Sequence, residues 1–145
     1  VDAFLVKCLR CCKPDVLVTH DLEGEYGHGA HRVCADAAIR VCERLDDKLY
    51  YPQYALKYGA WAVKKLYLHL YRQHAITMDW RQPIASMDGR TPLELAQAAF
   101  ACHESQQGIG YFVSDDYEYS CARFGLYASA VGWDVIGGDF LENIE

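Results

Sequence analysis

Three histidines and three carboxylates lie within one thirteen-residue segment, residues 19–31. His28 and His31 are three positions apart, a spacing that lets one helical turn direct both imidazoles to the same side. Imidazole is the commonest metal-binding side chain and the commonest acid–base group near neutral pH. Spacing alone leaves two interpretations open. Either one histidine binds a metal while the other moves protons, or both are surface residues or helix caps.

The elements on either side of this segment predict where it lies in the fold. Residues 16–19 are a short β-branched run, typical of a buried parallel strand. Residues 31–44 follow a helical period with an apolar stripe formed by Val33, Cys34, Ala37, Ala38, Val41 and Cys42. Strand, loop and helix in this order indicate an α/β layer fold, in which ligands bind outside the carboxyl ends of the strands. The histidine-rich segment is expected at that edge.

The remainder of the chain predicts further helices and strands. The predicted helices cover residues 1–12 and 91–106, the second beginning with a capping box at Thr91. The predicted strands cover residues 65–71, 76–80 and 124–131. The tyrosine-rich residues 46–58 are expected to be irregular or weakly helical. Their aromatic rings, together with Trp61, are expected to pack in the interior rather than to stack on a sugar.

Composition limits the classes of function. With 145 residues, of which 52% are hydrophobic and 23% charged, the chain has the composition of one globular domain or part of one. A formal net charge of −6 argues against nucleic acid as a partner, because a phosphate backbone requires a clustered basic face. No apolar run reaches the length of a membrane span. No Gly-x-Gly-x-x-Gly follows a strand, which disfavours a dinucleotide site.

The cysteines indicate a reducing environment. Seven is an odd count for a disulfide framework, so a cytoplasmic location is expected. The Cys8-x-x-Cys11-Cys12 cluster has no second Cys-x-x-Cys, which a structural zinc site usually requires. The cysteines that lie among apolar residues are therefore expected to be buried as small hydrophobic side chains. They are Cys11, Cys34, Cys42 and Cys102.

Several ordered blocks resemble one protein family. The stretch from Thr19 to His31, Thr-His-Asp-x-x-Gly-Glu-Tyr-Gly-His-x-x-His, resembles the second signature of the LmbE/PIG-L family of zinc-dependent de-N-acetylases. Further blocks resemble that family in the same order along the chain. They are residues 65–71 with 78–80, 101–106, 123–127 and 139–144.

The resemblance implies a fold, an activity and site residues. It implies a Rossmann-like layered fold, of which residues 1–145 would be a single partial domain, the C-terminal portion. It implies hydrolysis of N-acetyl groups on N-acetylglucosamine-type units of glycolipids, thiol cofactors or antibiotics, with Zn²⁺ as cofactor. His31 matches the family's last zinc ligand, and His28 matches the histidine that stabilises the oxyanion or protonates the leaving amine. Tyr26 matches a tyrosine near the substrate in some members. His103 lies in a block that approaches the active site, where it would either contact substrate or be a helix histidine bonded to nearby backbone.

Two departures from the family pattern limit these expectations. Ala30 stands where many members have an aspartate that orients the neighbouring histidine. The His-Pro-Asp-Asp motif, which in the family supplies two zinc ligands and the catalytic base, does not occur in these 145 residues. We therefore expect this chain alone to bind zinc weakly and to have no useful turnover. The missing groups would come from an N-terminal half, separate or missing.

Other interpretations of the residues stay open. The alternative to a hydrolase is a non-catalytic fragment or pseudo-enzyme that binds sugar or a partner chain. His20 and Asp21 are expected to shape the loop. His69 and His74 are expected to be structural or surface residues.

Overall fold

The computed structural model describes residues 1–144, which form four α-helices and four β-strands. The helices are α1 (Asp2–Cys12), α2 (Gly29–Cys42), α3 (Pro52–Tyr58) and α4 (Pro92–Ala101). The strands are β1 (Val16–Thr19), β2 (Lys65–His69), β3 (Ala75–Thr77) and β4 (Arg123–Ser129). Short 3₁₀ turns lie at Ala85–Met87 and Glu104–Gln106. Within residues 1–144, every helix is too short or too polar to cross a membrane.

The four strands form one mixed sheet in the order β1-β2-β4-β3. Strands β1 and β2 run parallel, with Val16 opposite Lys65 and Thr19 opposite Leu68. Strand β4 runs antiparallel to both β2 and β3. The connection from β1 to β2 passes through α2 and α3, as parallel strands require a long crossover. The predicted α/β class is confirmed, whereas the Rossmann-like layout of the family stays a prediction.

The helical side of the core joins α1, α2 and the aromatic segment after α2. Val6 and Leu9 of α1 pack with Val41 and Leu45, and all four are buried. Partly buried aromatic side chains cover this cluster: Tyr50, Tyr51, Tyr54 and Trp61. The prediction that these aromatic rings pack is confirmed. A second buried cluster on the sheet contains Tyr67, Ile76 and Leu126.

A buried arginine holds the segment between α2 and α3. The Arg10 side chain is fully buried and donates five hydrogen bonds to backbone carbonyls. The acceptors are the carbonyls of Leu45 at 3.1 and 2.9 Å, Asp47 at 2.8 Å, Tyr50 at 2.7 Å and Tyr51 at 3.1 Å. A guanidinium has five N–H donors, so this geometry uses its full capacity. Arg10 therefore links α1 to residues 45–51.

Several predicted boundaries were wrong, for identifiable reasons. The strand predicted over 65–71 ends at His69, because Leu70 adopts a left-handed backbone with φ 59°. Residues 46–58 are irregular and then weakly helical, as predicted, with Pro52 in the first turn of the seven-residue α3, where proline is favoured. The helix predicted to reach residue 106 ends at Ala101. Strands β3 and β4 also stop short of their predicted ends, and α2 starts at Gly29 rather than residue 31.

The prediction of buried cysteines was wrong for three of the four. Cys11, Cys34 and Cys102 are exposed, and Cys42 is half-buried. On α2 the buried positions begin at Ala35, so the first part of the predicted apolar stripe faces solvent. The reason is that this end of α2 extends beyond the core cluster towards the histidine-rich loop.

Gly125 in β4 is a position where the packing permits no side chain. A Cβ atom there would lie 2.8 Å from the Gln73 carbonyl oxygen and 2.7 Å from the Tyr71 carbonyl carbon, both rigid backbone atoms. We expect Gly125→Ala to lower the free energy of unfolding by about 1–3 kcal/mol, the usual cost of overpacking. Gly29→Ala is the matched control, because a Cβ at Gly29 meets no atom within 4 Å. Urea denaturation of both variants tests this, and equal midpoints would contradict it.

Candidate metal and catalytic site

The histidine-rich loop lies at the carboxyl ends of the two parallel strands. Strand β1 ends at Thr19 and α2 begins at Gly29, so residues 20–28 form the connection. His69 is the last residue of β2 and follows Leu68, which pairs with Thr19. The predicted position of the loop at this edge of the sheet is confirmed.

Local hydrogen bonds fix the shape of this loop. The Asp21 carboxylate accepts a hydrogen bond from the Glu25 backbone N–H at 2.5 Å. Gly24 has φ 70°, and a side chain there would collide with the His28 carbonyl. The His28 N–H in turn donates to the Gly24 carbonyl at 3.0 Å. Asp21 therefore shapes the loop, as predicted, and the turn at Gly24 brings the start of α2 back towards Glu25.

The Glu25 carboxylate lies at the centre of three imidazoles. Its Oε1 atom is 2.6 Å from Nδ1 of His69 and 3.1 Å from Nδ1 of His20. Its Oε2 atom is 3.3 Å from Nδ1 of His31. Burial acts to raise the pKa of Glu25, but the hydrogen bonds with His69 and His20 outweigh it and hold this pKa below its usual value. Glu25 is therefore an ionised carboxylate at neutral pH.

His69 anchors this carboxylate to the sheet. Its second ring nitrogen, Nε2, lies 2.9 Å from the Ser120 carbonyl oxygen. Both ring nitrogens thus face acceptor atoms, Glu25 on one side and Ser120 on the other. The His69 side chain is only 11% exposed and Glu25 only 13%. A largely buried imidazole with two fixed partners holds the Glu25 side chain in one orientation.

The Nδ1 atom of His31 is a buried polar atom without a hydrogen-bond partner. Its distance of 3.3 Å to Glu25 Oε2 is within ion-pair range, but the two atoms do not form a hydrogen bond. A buried polar atom without a partner is costly, so such an atom indicates a missing ligand, ion or water. His20, Glu25 and His31 each offer a ligand atom, and these atoms lie within 4.8 Å of one another. This donor set fits a divalent cation.

Three of the four predicted site residues are brought together. The His28 and His31 rings are 4.4 Å apart between centroids, and the Tyr26 ring lies 5.8 Å from His28 and 5.6 Å from His31. His103 lies instead in an exposed turn after α4, where its ring contacts Phe100. The structure thus groups Tyr26, His28 and His31, whereas the substrate role of His103 stays a prediction.

An aromatic cavity of about 220 Å³ opens beside Glu25 and Tyr26. Its wall is built mainly by Trp80, Phe100, Tyr111, Phe112, Tyr117 and Tyr119. The Tyr26 ring packs 5.3 Å from Tyr111 and 5.7 Å from Tyr119. An apolar wall next to a few convergent polar groups is the usual composition of a small-molecule site.

Glu25 carries no chemistry in the sequence-based prediction, where His20 shapes the loop and His69 is a structural or surface residue. The available signal was the position of His69 near the carboxyl end of the strand predicted over residues 65–71. In α/β folds, ligands bind outside the carboxyl ends of the strands. The same expectation for this second strand would have placed His69 beside the loop. Glu25 lies inside the histidine-rich segment, but its contacts with His69 span 44 positions and leave no local pattern.

Comparisons with known proteins give a partial match. No protein-family model matches the chain. It is 42% identical over 66 residues to "1D-myo-inositol 2-acetamido-2-deoxy-alpha-D-glucopyranoside deacetylase 1" of Catenulispora acidiphila, covering 45% of this chain and 19% of that protein. The same-named protein of Frankia casuarinae is 34% identical over 86 residues, covering 56% and 27%. A similarly named deacetylase of Geodermatophilus obscurus is 37% identical over 65 residues, covering 45% and 21%.

The chain is similar to de-N-acetylases. The matching part spans about a fifth to about a quarter of the length of these relatives, 19% to 27%. By their names, the relatives deacetylate a conjugate of inositol and an acetamido sugar. The similarity supports a de-N-acetylase family, while zinc and the individual residue roles stay predictions.

Proposed function

We propose that the protein containing this chain is a zinc-dependent hydrolase that removes the N-acetyl group from an N-acetylglucosamine-type amino sugar or conjugate. The observation that carries the proposal is the grouping of His28 and His31 at the carboxyl edge of the sheet, beside an ionised Glu25. The similarity to inositol-linked acetamidoglucose deacetylases supports the substrate class.

His31 is the residue that would hold the zinc, since its Nδ1 is buried without a partner. When bound there, zinc would polarise the acetamide carbonyl and lower the pKa of a coordinated water. The resemblance assigns the proton of this water to an aspartate of a His-Pro-Asp-Asp motif, which does not occur in residues 1–145. We propose that a further polypeptide segment supplies this base.

We propose that His28 acts on the substrate. It is the N-cap residue of α2, but its side chain makes no capping hydrogen bond and is exposed, so the ring is available to a ligand. Its imidazole can donate a hydrogen bond to the carbonyl oxygen as negative charge develops, and can pass a proton to the leaving amine. The amino end of α2 adds a favourable field for that negative charge.

The test is release of free amine from N-acetyl amino sugars by the protein that contains this chain. We expect turnover of an N-acetylglucosaminyl inositol conjugate in the presence of zinc, with acetate and amine formed in equal amounts. An N-acetyl amino acid is the control substrate, which lacks a sugar ring and should react far more slowly. Failure to release amine from any N-acetyl amino sugar would overturn the proposal.

The aromatic cavity favours a second candidate, a sugar-binding domain without catalytic activity. Ring stacking between a sugar and the tyrosines beside Tyr26 requires no metal and no base. Saturable binding of N-acetylglucosamine conjugates without amine release, unchanged by zinc, would support this alternative instead. Amine release would exclude it.

A further inference from the structure

We propose that His20 and Glu25 are positioning residues that hold the His31 imidazole in the orientation required for metal binding. This role rests on the proposed function, in which His31 is the zinc ligand of this chain, and it names the residues that support that ligand. In the family pattern an aspartate at the position of Ala30 orients the neighbouring histidine, and alanine has no hydrogen-bonding side chain. The histidines of this loop must therefore be oriented by other residues.

The orientation of the His31 ring is set by contacts with other rings. Its Nδ1 atom is buried without a hydrogen-bond partner, so no hydrogen bond at that atom fixes the ring plane. The His20 imidazole lies parallel to it, with 3.9 Å between centroids and 5° between planes. The rings of His28 and Tyr26 also contact His31, but both residues are exposed and their rings are inclined by 36° and 71°. Rotation of His31 about its Cβ–Cγ bond would drive its ring atoms into His20, so this stack fixes the ring plane.

His20 is itself held on two sides. Its backbone directly follows Thr19, the last residue of β1. Its Nδ1 atom lies 3.1 Å from Glu25 Oε1, and because an ionised carboxylate can only accept, His20 donates this hydrogen bond. A hydrogen bond to a charged group is stronger than one between neutral groups. The ring plane of His20 is therefore fixed although its side chain is 38% exposed.

The Glu25 carboxylate is fixed from the neighbouring strand. Its Oε1 atom also accepts a hydrogen bond from Nδ1 of His69 at 2.6 Å, and the other ring nitrogen of His69 lies 2.9 Å from the Ser120 carbonyl oxygen. Residues that orient metal ligands are typically held by further hydrogen bonds of this kind. The orientation of His31 thus depends on contacts that reach from the end of β2 through Glu25 and His20.

Glu25 acts on His31 through His20 rather than directly. Its Oε2 atom is 3.3 Å from His31 Nδ1, but these two atoms form no hydrogen bond. Its Oε1 atom already accepts from two imidazoles, those of His69 and His20. Once His20 is removed, removal of Glu25 should therefore have little further effect on His31.

The zinc affinity of the protein that contains this chain tests this role without an assay of activity. It is measured by competition with a chromophoric chelator. We expect His20→Ala and Glu25→Ala each to weaken zinc binding by about 10–100-fold, the usual cost of losing a residue that orients a ligand. The double variant should bind zinc about as weakly as the weaker single variant, because both changes interrupt the same series of contacts. A loss equal to the product of the two single losses would contradict the proposal.

The His20→Phe variant separates orientation of the His31 ring from the shape of the loop. Phenylalanine keeps a flat ring that can stack on His31, but it makes no hydrogen bond with Glu25. It should bind zinc about 2–10-fold more tightly than His20→Ala, the range expected for one stacked aromatic pair. Equal zinc affinities of the two variants would show that His20 acts only on the loop and would overturn the proposal.

The matched control is Glu23→Ala, which removes a carboxylate of the same loop whose side chain is 80% exposed. This variant should bind zinc as the unchanged protein does, and circular dichroism checks that each variant folds. Zinc affinities of His20→Ala and Glu25→Ala that equal that of Glu23→Ala would also overturn the proposal.

The outcome is distinguishable from that of the proposed function. If the protein shows zinc-dependent amine release but neither His20→Ala nor Glu25→Ala alters its zinc affinity, the positioning role fails and the function stands. If these variants weaken zinc binding as expected but no N-acetyl amino sugar is hydrolysed, the positioning role stands and the function fails.

Discussion

Replacing His31 with alanine is expected to lower kcat/KM for amide hydrolysis by at least about 10³-fold, equivalent to about 4 kcal/mol of transition-state stabilisation. The variant removes an imidazole that lies 3.3 Å from Glu25 and 4.4 Å from the His28 ring. Because His31 is the proposed zinc ligand, the bound metal should be lost together with the activity. Steady-state kinetics and metal analysis of the purified variant measure both effects.

The His28→Ala variant separates a loss of catalytic chemistry from a loss of bound metal. We expect this variant to keep its metal and to lose about 10²–10⁴-fold in kcat, the usual contribution of a general acid or base. His74→Ala serves as the control histidine, since its ring stacks on Trp133 rather than on the site. A His31→Ala variant that retains both metal and turnover at the level of His74→Ala would contradict the assignment.

Replacing Arg10 with methionine is expected to lower the free energy of unfolding by about 3 kcal/mol or more. Methionine donates no hydrogen bond and leaves the Leu45 and Tyr50 carbonyls without the donors that Arg10 supplies, whereas the Asp47 and Tyr51 carbonyls keep backbone N–H donors. Each buried acceptor left without a partner costs about 1–3 kcal/mol. Since small domains have only about 5–15 kcal/mol in total, this single change should bring the chain close to unfolding at ambient temperature. Urea denaturation followed by circular dichroism measures it.

Arg40→Met is the matched control for this experiment. Arg40 is exposed and pairs with Asp2 at 3.0 Å on the surface, where ion pairs contribute little. Its urea midpoint should stay close to that of the unchanged chain. Equal midpoints for the Arg10 and Arg40 variants would show that residues 45–51 do not depend on the buried guanidinium.

The part of the site that could be predicted from sequence is the part specified locally. The β-branched run of β1 and the helical period of α2 placed the loop between them at a strand's carboxyl end. The spacing of His28 and His31 predicted that both rings face one side, and the structure places the ring centroids 4.4 Å apart. Their roles rest on the family resemblance. The capping box at Thr91 was likewise visible in sequence, and the structure shows both of its hydrogen bonds.

The parts that could not be predicted depend on contacts between distant residues. The Glu25 carboxylate is hydrogen-bonded by His69, which is 44 positions away. Arg10 donates to carbonyls that are 35 to 41 positions away. An arginine inside a helical pattern is normally solvent-exposed, so no local signal marked Arg10 as buried. The prediction of buried cysteines was wrong for a related reason. An apolar stripe shows which face of a helix can be buried, but it does not show how far the core extends along that helix.

The most direct test of the central claim is removal and restoration of metal in the protein that contains this chain. Amine release from an N-acetylglucosaminyl inositol conjugate is measured after treatment with a chelator and again after addition of Zn²⁺. We expect amine release to fall by about 100-fold or more on chelation, because several kcal/mol of metal stabilisation are lost, and to recover on adding zinc. Undiminished amine release from protein shown by elemental analysis to be free of metal would contradict it.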